Sequence, residues 1–349
     1  MVAKKNFIKT MALVVTCMLC LNSEGMLWAY EQDSERREGE KLELRVGYVA
    51  GLTRLPLVIS HANDQGSFEN VNIVLDGFHS WTALEAAVRA ELVDAAVMTV
   101  PITLVMAGEN VPISIVGSMS KGGSRLMVTN GKSFNDLKGK IIGVPGLDSS
   151  ENLLLYSALD DSDLILGKDI RAIEAGSRRC VDFLHAGTVD AVFPPEPYPT
   201  IIENEKIGYE LGEAKSLINN DICNVIIVHN EVIDQYEDAI SEWLASIEKA
   251  VDTINDDRRN TGGRQVAIAQ QQYFEYDPEV VMKVLENSNK TITYTIDPPT
   301  KEELNKFYNV ASEMNLISVS VDFDTLLKTD IAQMAGKKQQ PDKRKRKRK

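Results

Sequence analysis

The chain has 349 residues, 44% of them hydrophobic and 26% charged, with a net charge of −13. That length accommodates two lobes of ordinary size, each with its own core, and the composition excludes a fibrous or wholly disordered chain. The charge is unevenly placed: Lys337 to Lys349 holds nine Lys and Arg against one Asp, and setting it aside with residues 1–29 leaves −23 for residues 30–336. So acidic a body argues against nucleic acid as the main partner.

At the N-terminus, Lys4, Lys5 and Lys9 precede the apolar run Met11 to Leu21, which is too short for a comfortable membrane span and has the layout of a secretory signal. Residues 1–29 are therefore expected to be a signal peptide, cleaved after Ala29 or Gly25, with the mature protein exported to the periplasm. Cys17 and Cys20 leave open a lipoprotein anchored to the outer face of the membrane, although neither follows the small residues of a lipobox. Past that segment only Cys180 and Cys223 remain, and pairing and two buried free thiols are both compatible with the spacing. The basic tail 337–349 reads as a disordered, solvated end, or as a membrane contact in which each cation near anionic lipid contributes on the order of 1 kcal/mol.

From Leu42 the body alternates strand and helix signals, the pattern of a parallel α/β sheet. Strands are expected at Leu42–Val49, Val71–Leu75, Val93–Val100 and Ile113–Val116, with helices at Leu55–Ala62, Trp81–Glu91 and from Pro101 onward. After Arg125–Thr129, a short turn at Ser133–Gly139 and a strand at Gly143–Val144 open a second lobe. That lobe continues through a helix at Ser150–Leu159, a strand near Ile170–Ala175, a helix through Cys180 and Leu184 and a strand at Val189–Phe193. Ile222–His229 is an apolar strand that carries the chain back. Four helical segments follow, Val232–Ile254, Arg264–Tyr273, Pro278–Asn287 and Lys301–Met314, expected to pack on the outside of the lobes. The resulting division is 42–129 for the first part of lobe 1, 130–222 for lobe 2, and 223–336 for the return to lobe 1 and the C-terminal helices.

One pattern ties the two halves together. Leu92-Val93-Asp94-Ala95-Ala96-Val97, running to Pro101, is echoed 96 positions later by Thr188-Val189-Asp190-Ala191-Val192, running to Pro197. The same offset superposes Gly47-Tyr48-Val49-Ala50-Gly51-Leu52 on Gly143-Val144-Pro145-Gly146-Leu147. Two ungapped matches at one offset predict two lobes of similar construction.

The order Ser80-Trp81-Thr82-Ala83-Leu84 leading to Val93-Asp94-Ala95-Ala96, then Asn135-Asp136-Leu137-Lys138-Gly139-Lys140 leading to Gly143-Val144-Pro145, resembles the substrate-binding proteins of ABC importers. Within that class it is similar to the nitrate, sulfonate, taurine and bicarbonate group, related to the thiamine-precursor-binding proteins, over about residues 43 to 330. The resemblance implies an α/β, two-lobed periplasmic-binding-protein-like fold of type II, each lobe a mixed, mostly parallel sheet flanked by helices. It also implies a monomer that binds a small-molecule ligand and docks on an ABC transporter permease, with no enzymatic activity, cofactor or metal. A sensing protein of the same fold and an enzyme akin to the pyrimidine-precursor synthases are the rival readings. No G-x-S-x-G, H-E-x-x-H or G-x-x-x-x-G-K-[ST] nominates another reaction.

In such a fold the ligand lies where strand C-termini and helix N-termini face the cleft. Lobe 1 then offers Arg54 after its first strand, Ser80, Trp81 and Thr82 after its second, and Thr99 and Pro101 after its third. Lobe 2 offers Ser149, Ser150, Arg178, Glu196 and Tyr198. The hydroxyls serve equally as helix caps, Trp81 as a wall or a core residue, and the guanidinium groups of Arg54, Arg125, Arg178 and Arg179 as forks for a carboxylate or sulfonate or as surface charges. Glu196, between Pro195 and Pro197, must be paired, protonated or facing the cleft, accepting from a ligand amine or holding an arginine. His79 and His229 read as structural. Nitrate and bicarbonate binders of this group carry a histidine where Ala96-Val97-Met98 stands here, which points to a larger or partly apolar ligand.

Overall fold

The computed structural model describes residues 41–160, 162–211, 221–287 and 292–331. The expected leader with Cys17 and Cys20, and the basic tail, lie outside them. Two sheets organise the described chain. The first contains β1 (Leu42–Val49), β2 (Val71–Phe78), β3 (Ala95–Thr99), β4 (Ile113–Gly122), β10 (Ile222–His229) and β11 (Ile292–Tyr294), in the spatial order β11-β4-β10-β3-β1-β2. The second contains β5 (Met127–Val128), β6 (Ile141–Val144), β7 (Arg171–Glu174), β8 (Ala191–Val192) and β9 (Tyr209–Glu210), in the order β7-β6-β8-β5-β9.

Both sheets are mixed. β3, β1 and β2 run parallel, as do β7, β6 and β8, whereas the strands that leave and re-enter each sheet pair antiparallel. β3 and β10 are buried along their whole length, which is why Ala95–Thr99 and Ile222–His229 read as unbroken apolar runs rather than alternating ones. Met127–Val128 already pairs with β8 and β9, so the chain changes sheets at Gly122–Gly123 and not near residue 130. Both glycines have left-handed backbone, φ 68 and 96, and a Cβ on Gly123 would stand 2.6 Å from Thr53 Cγ2.

The 96-residue echo is a shared register. Val46 and Gly47 pair with Ala95 and Ala96, and 96 positions on, Ile142 and Gly143 pair with Ala191 and Val192. Asp94 accepts from the Arg45 backbone N–H at 2.8 Å, and Asp190 accepts from that of Ile141 at 2.9 Å. The turns before these aspartates match as well: Glu91 and Gly187 both have positive φ, 55 and 67. In each lobe the aspartate occupies the N–H of the first strand just below its paired segment and fixes how the third strand enters beside it.

The C-terminal helices pack on helices of the lobes, and one of them bridges the two lobes. The amphipathic helix Asn230–Thr261, bent at Tyr236 and ended by left-handed Gly262, packs on Leu55–Asp64, where the Ser60 and Ser246 hydroxyls meet at 2.7 Å. The helix Lys301–Glu313, capped by Thr300 and Glu303, packs on both Val100–Gly108 of the first lobe and Ser150–Asp160 of the second. Leu304, Phe307 and Ala311 thereby join one apolar core with Leu104 and Leu153, a core common to the two lobes. β11, a short strand among these helices that the periodicity did not indicate, pairs with β4 and extends the first sheet.

If the aspartates hold the strands in this way, Asp94→Ala and Asp190→Ala should each cost about 1–2 kcal/mol, the price of a lost hydrogen bond to a backbone group. Urea denaturation followed by circular dichroism measures both; a negligible loss in either would show that strand entry does not depend on it.

Candidate ligand-binding site

The site begins with a local conflict. β1 is followed by Ala50-Gly51 and then at once by a single 3-10 turn, Leu52–Arg54, that directs the Arg54 side chain back over the strand end. Its Nη2 donates to Ala50 O at 3.1 Å, and a Cβ on Gly51 would overlap the guanidinium, so the glycine is a requirement of this packing. Arg54 Nη1 donates to Asn224 Oδ1 at 3.1 Å, and Asn224 Nδ2 donates to Thr53 Oγ1 at 3.1 Å. The Tyr294 hydroxyl of β11 holds the turn by donating to Leu52 O at 2.9 Å.

Arg54 is only 2% exposed, and among the described residues it makes no ion pair; its Nε has no hydrogen-bond partner. Burial pushes the guanidinium below its usual value, opposed by Cys223, Tyr276 and Glu151. A buried cation without a counter-ion is costly, so one in a native fold calls for an explanation. The Trp81 ring lies over it, 5.0 Å from centroid to Cζ, which contributes about 1–2 kcal/mol in a desolvated place.

Two further unsatisfied groups adjoin it. Thr99 and Ser120 stand directly opposite Asn224 on β3 and β4, and opposed residues of an antiparallel pair share a face. Both hydroxyl oxygens are buried and have no hydrogen-bond partner among the described residues. The result is a row of Thr99, Asn224 and Ser120 across the sheet with Arg54 laid on it, three buried polar atoms awaiting partners.

The second lobe meets this row from the other side. Leu52 N donates to Glu196 O at 3.3 Å, and Ser150 Oγ donates to Cys223 O at 3.3 Å. The Tyr198 and Tyr276 hydroxyls lie 3.3 Å apart with their rings perpendicular, and burial raises Tyr276 well above the usual tyrosine value. Ser149 caps its helix by accepting from Asn152 N at 3.3 Å, and Glu151 is buried beside it.

The structure therefore brings Arg54, Trp81, Thr99, Ser149, Ser150 and Tyr198 to the junction, and handles the other expected residues differently. Ser80 caps the helix Trp81–Arg89 by accepting from Ala83 N, and it and Thr82 are exposed. Pro101 is buried behind Thr99, in the first turn of its helix, and Arg178 is exposed. Glu196 holds an arginine instead of facing the cleft: Oε1 accepts from Arg125 Nε at 2.9 Å and Oε2 from Thr200 N at 3.2 Å. Arg125 also meets Glu203 at 2.9 Å, and although burial works against it, Glu196 and Glu203 keep its value raised. Cys180 and Cys223 are free and buried. Sequence reasoning missed Asn224 and Tyr276. The signal for the first was a lone amide within Ile222–His229, since a polar side chain inside an apolar strand needs a reason; nothing local marked the second.

Two α/β lobes joined by two crossings thus meet around a buried cation and two hydroxyls that have no hydrogen-bond partner among the described residues. The chain belongs to the NMT1-like family, whose model matches residues 37–269. Its fold is similar to that of the periplasmic nitrate-binding protein NrtA from Synechocystis PCC 6803, at a TM-score of 0.76, 15% identity, and coverage of 86% of this chain and 90% of that one. The alkanesulfonate-binding protein SsuA from Xanthomonas axonopodis pv. citri, bound to MOPS, superposes at 0.70 with 17% identity over 83% and 99% of the two chains. A 248-residue stretch is 25% identical to the nitrate import ATP-binding protein NrtC of Synechocystis, covering 63% of this chain and 36% of that protein; the chain thus spans about a third of the length of that relative.

The two buried arginines should separate by experiment. Glu196→Ala leaves Arg125 without its buried partner, one of two carboxylates at 2.9 Å, and should cost about 2–4 kcal/mol of stability. Arg54→Met removes a cation that makes no ion pair among the described residues and should change stability by less than about 2 kcal/mol, because the lost charge burial offsets the hydrogen bond lost at Asn224. Chemical denaturation of both variants checks this; a larger loss in Arg54→Met than in Glu196→Ala would reverse the assignment.

Proposed function

We propose that this protein captures a small organic anion between its lobes on the outer side of a membrane and delivers it to an ABC importer. The observation that carries the reading is Arg54, a buried guanidinium that makes no ion pair and whose Nε has no hydrogen-bond partner among the described residues, set on a row of hydroxyls likewise without partners among them, where the lobes meet. An anionic head group on Arg54, Thr99 and Ser120 would satisfy all three. The aromatic rings of Trp81, Tyr198 and Tyr276 favour an organic remainder, as in a sulfonate or a thiamine precursor, over bare nitrate or bicarbonate. Family membership supports the importer role.

Capture requires the lobes to part, because Trp81 covers Arg54 from outside. The crossing at Gly122–Gly123 and the return into β10 at Ile222 are the segments about which they rotate. The junction's chemistry suits binding better than catalysis. Burial pushes both described thiols, Cys180 and Cys223, up to about 12, so neither provides a thiolate at neutral pH.

A thermal-shift screen of alkanesulfonates, carboxylates, nitrate, bicarbonate and aminopyrimidines tests the reading, since a ligand that binds only the folded state raises the melting temperature. Organic anions should raise it, Arg54→Met should abolish the shift, and Trp81→Ala should weaken affinity about tenfold, the equivalent of roughly 1.4 kcal/mol. Stabilisation by neutral or cationic compounds alone, or a shift that survives Arg54→Met, would remove the proposal. An adjacent membrane kinase gene in place of a permease gene would favour sensing over import.

A further inference from the structure

Asn224 is the side chain that anchors Arg54 to the sheet. It stands on β10 between Thr99 of β3 and Ser120 of β4 and is wholly buried. Its amide spans two partners: Oδ1 accepts from Arg54 Nη1 at 3.1 Å, and Nδ2 donates to Thr53 Oγ1 at 3.1 Å. A guanidinium offers donors only, so the amide must turn its oxygen toward Arg54. The other groups that Arg54 meets, Ala50 O and the Trp81 ring, carry no net charge either. Of the described lysines and arginines only Arg54 and Arg125 are buried, and Arg125 is matched by Glu196 and Glu203. The buried carboxyl groups among the described residues bond elsewhere: Glu196 to Arg125, Glu151 to Ser124 Oγ and Asp257 to Val266 N.

We propose that Asn224 sets the charge of the ligand: by holding Arg54 through a neutral amide it reserves one positive charge for the head group, so the site accepts a single negative charge and discriminates against two. The inference rests on the anion reading of Arg54. Arg125 shows what an acidic partner does in this protein, since the Glu196 carboxylate 2.9 Å from its guanidinium takes up the charge. Aspartate has the shape of asparagine, so at this position it would reach the same Arg54 Nη1 and leave no charge for a ligand. The Thr53 hydroxyl, which accepts from the amide, can turn and donate to a carboxylate instead. Thr99 and Ser120 add hydroxyls to the row but no charge. A head group with a second negative charge would therefore bury it uncompensated, which is costly. Asn224 acts through Arg54, as a positioning residue, and it sets specificity by the charge it lacks.

The test uses the full chain, as wild type and as Asn224→Asp, with ethanesulfonate and ethyl phosphate as probes at about pH 8, where a phosphate monoester is doubly charged. Calorimetric titration of the wild type should find ethyl phosphate about a hundredfold weaker than ethanesulfonate, because only about one molecule in a hundred is singly charged at that pH. Asn224→Asp should lose about a hundredfold or more in affinity for ethanesulfonate, the scale of a close buried charge pair. Its stability in chemical denaturation should be no lower than that of the wild type. Adding Arg54→Met should destabilise Asn224→Asp far more than it destabilises the wild type, since a buried carboxylate then loses its cation. A residue that only supported the fold would lose affinity in step with stability, so lost binding at full stability is the distinguishing result. Ethyl phosphate bound by the wild type within about tenfold of ethanesulfonate overturns this inference alone. So does Arg54-dependent ethanesulfonate binding that survives Asn224→Asp, an equal cost of Arg54→Met in both backgrounds, or failure of Asn224→Asp to fold. Failure of the wild type to bind ethanesulfonate, or binding that survives Arg54→Met, overturns the anion reading and this one with it.

Discussion

Burial of one guanidinium where two lobes meet is the constraint on which the rest of this structure turns. Arg54 reaches its place only because Gly51 has no side chain, and it stays there through Ala50 O and Asn224. Those supports need their own. Thr53 holds the Asn224 amide, Tyr294 of β11 holds Leu52, and Gly123 must be a glycine because Thr53 lies against it. A β-strand end, a strand crossing and a strand from the C-terminal third therefore converge on one side chain. Such support around a charge that makes no ion pair among the described residues is the arrangement the proposed ligand would complete.

The contrast with Arg125 makes the point chemically. Both arginines are buried, but Arg125 is met by Glu196, Glu203 and the Thr200 hydroxyl, so its charge is compensated within the protein. Its role is to tie the start of the second lobe to the segment after β8. Arg54 has an amide, a carbonyl and an aromatic face, all neutral. The same residue type thus serves cohesion in one place and, in the reading proposed here, recognition in the other, and the identity of the partners separates the two.

The lobes are built alike yet joined unequally. In each, an aspartate before the third strand closes on the first strand in the same register, Asp94 on Arg45 and Asp190 on Ile141. Between them the helix Lys301–Glu313 and the shared apolar core form a permanent link, whereas the contacts on the Arg54 side are single hydrogen bonds and the Tyr198–Tyr276 pair. Packed apolar surface resists separation and isolated polar contacts yield to water. The proposed opening would therefore take place on the side where the cation lies.

Much of this architecture was legible in the residues. The alternation of β1, the apolar runs of β3 and β10, and the helix at Pro278–Asn287 follow from local periodicity and turn chemistry. The echo of Val93-Asp94-Ala95-Ala96 in Val189-Asp190-Ala191-Val192 announced a repeated register because the same short pattern answers the same backbone need. The residues also nominated Arg54 and Trp81, from their place after strand ends. What tertiary structure alone decided is how charge is matched. That Glu196 closes on Arg125, that Asn224 meets Arg54 and Tyr276 meets Tyr198, and that Glu151 stands buried against Ser124 all depend on contacts between residues far apart in the chain. Local sequence sets backbone conformation and the face a side chain takes, but the desolvation that makes a charge costly, and the partner that relieves it, exist only once distant segments meet.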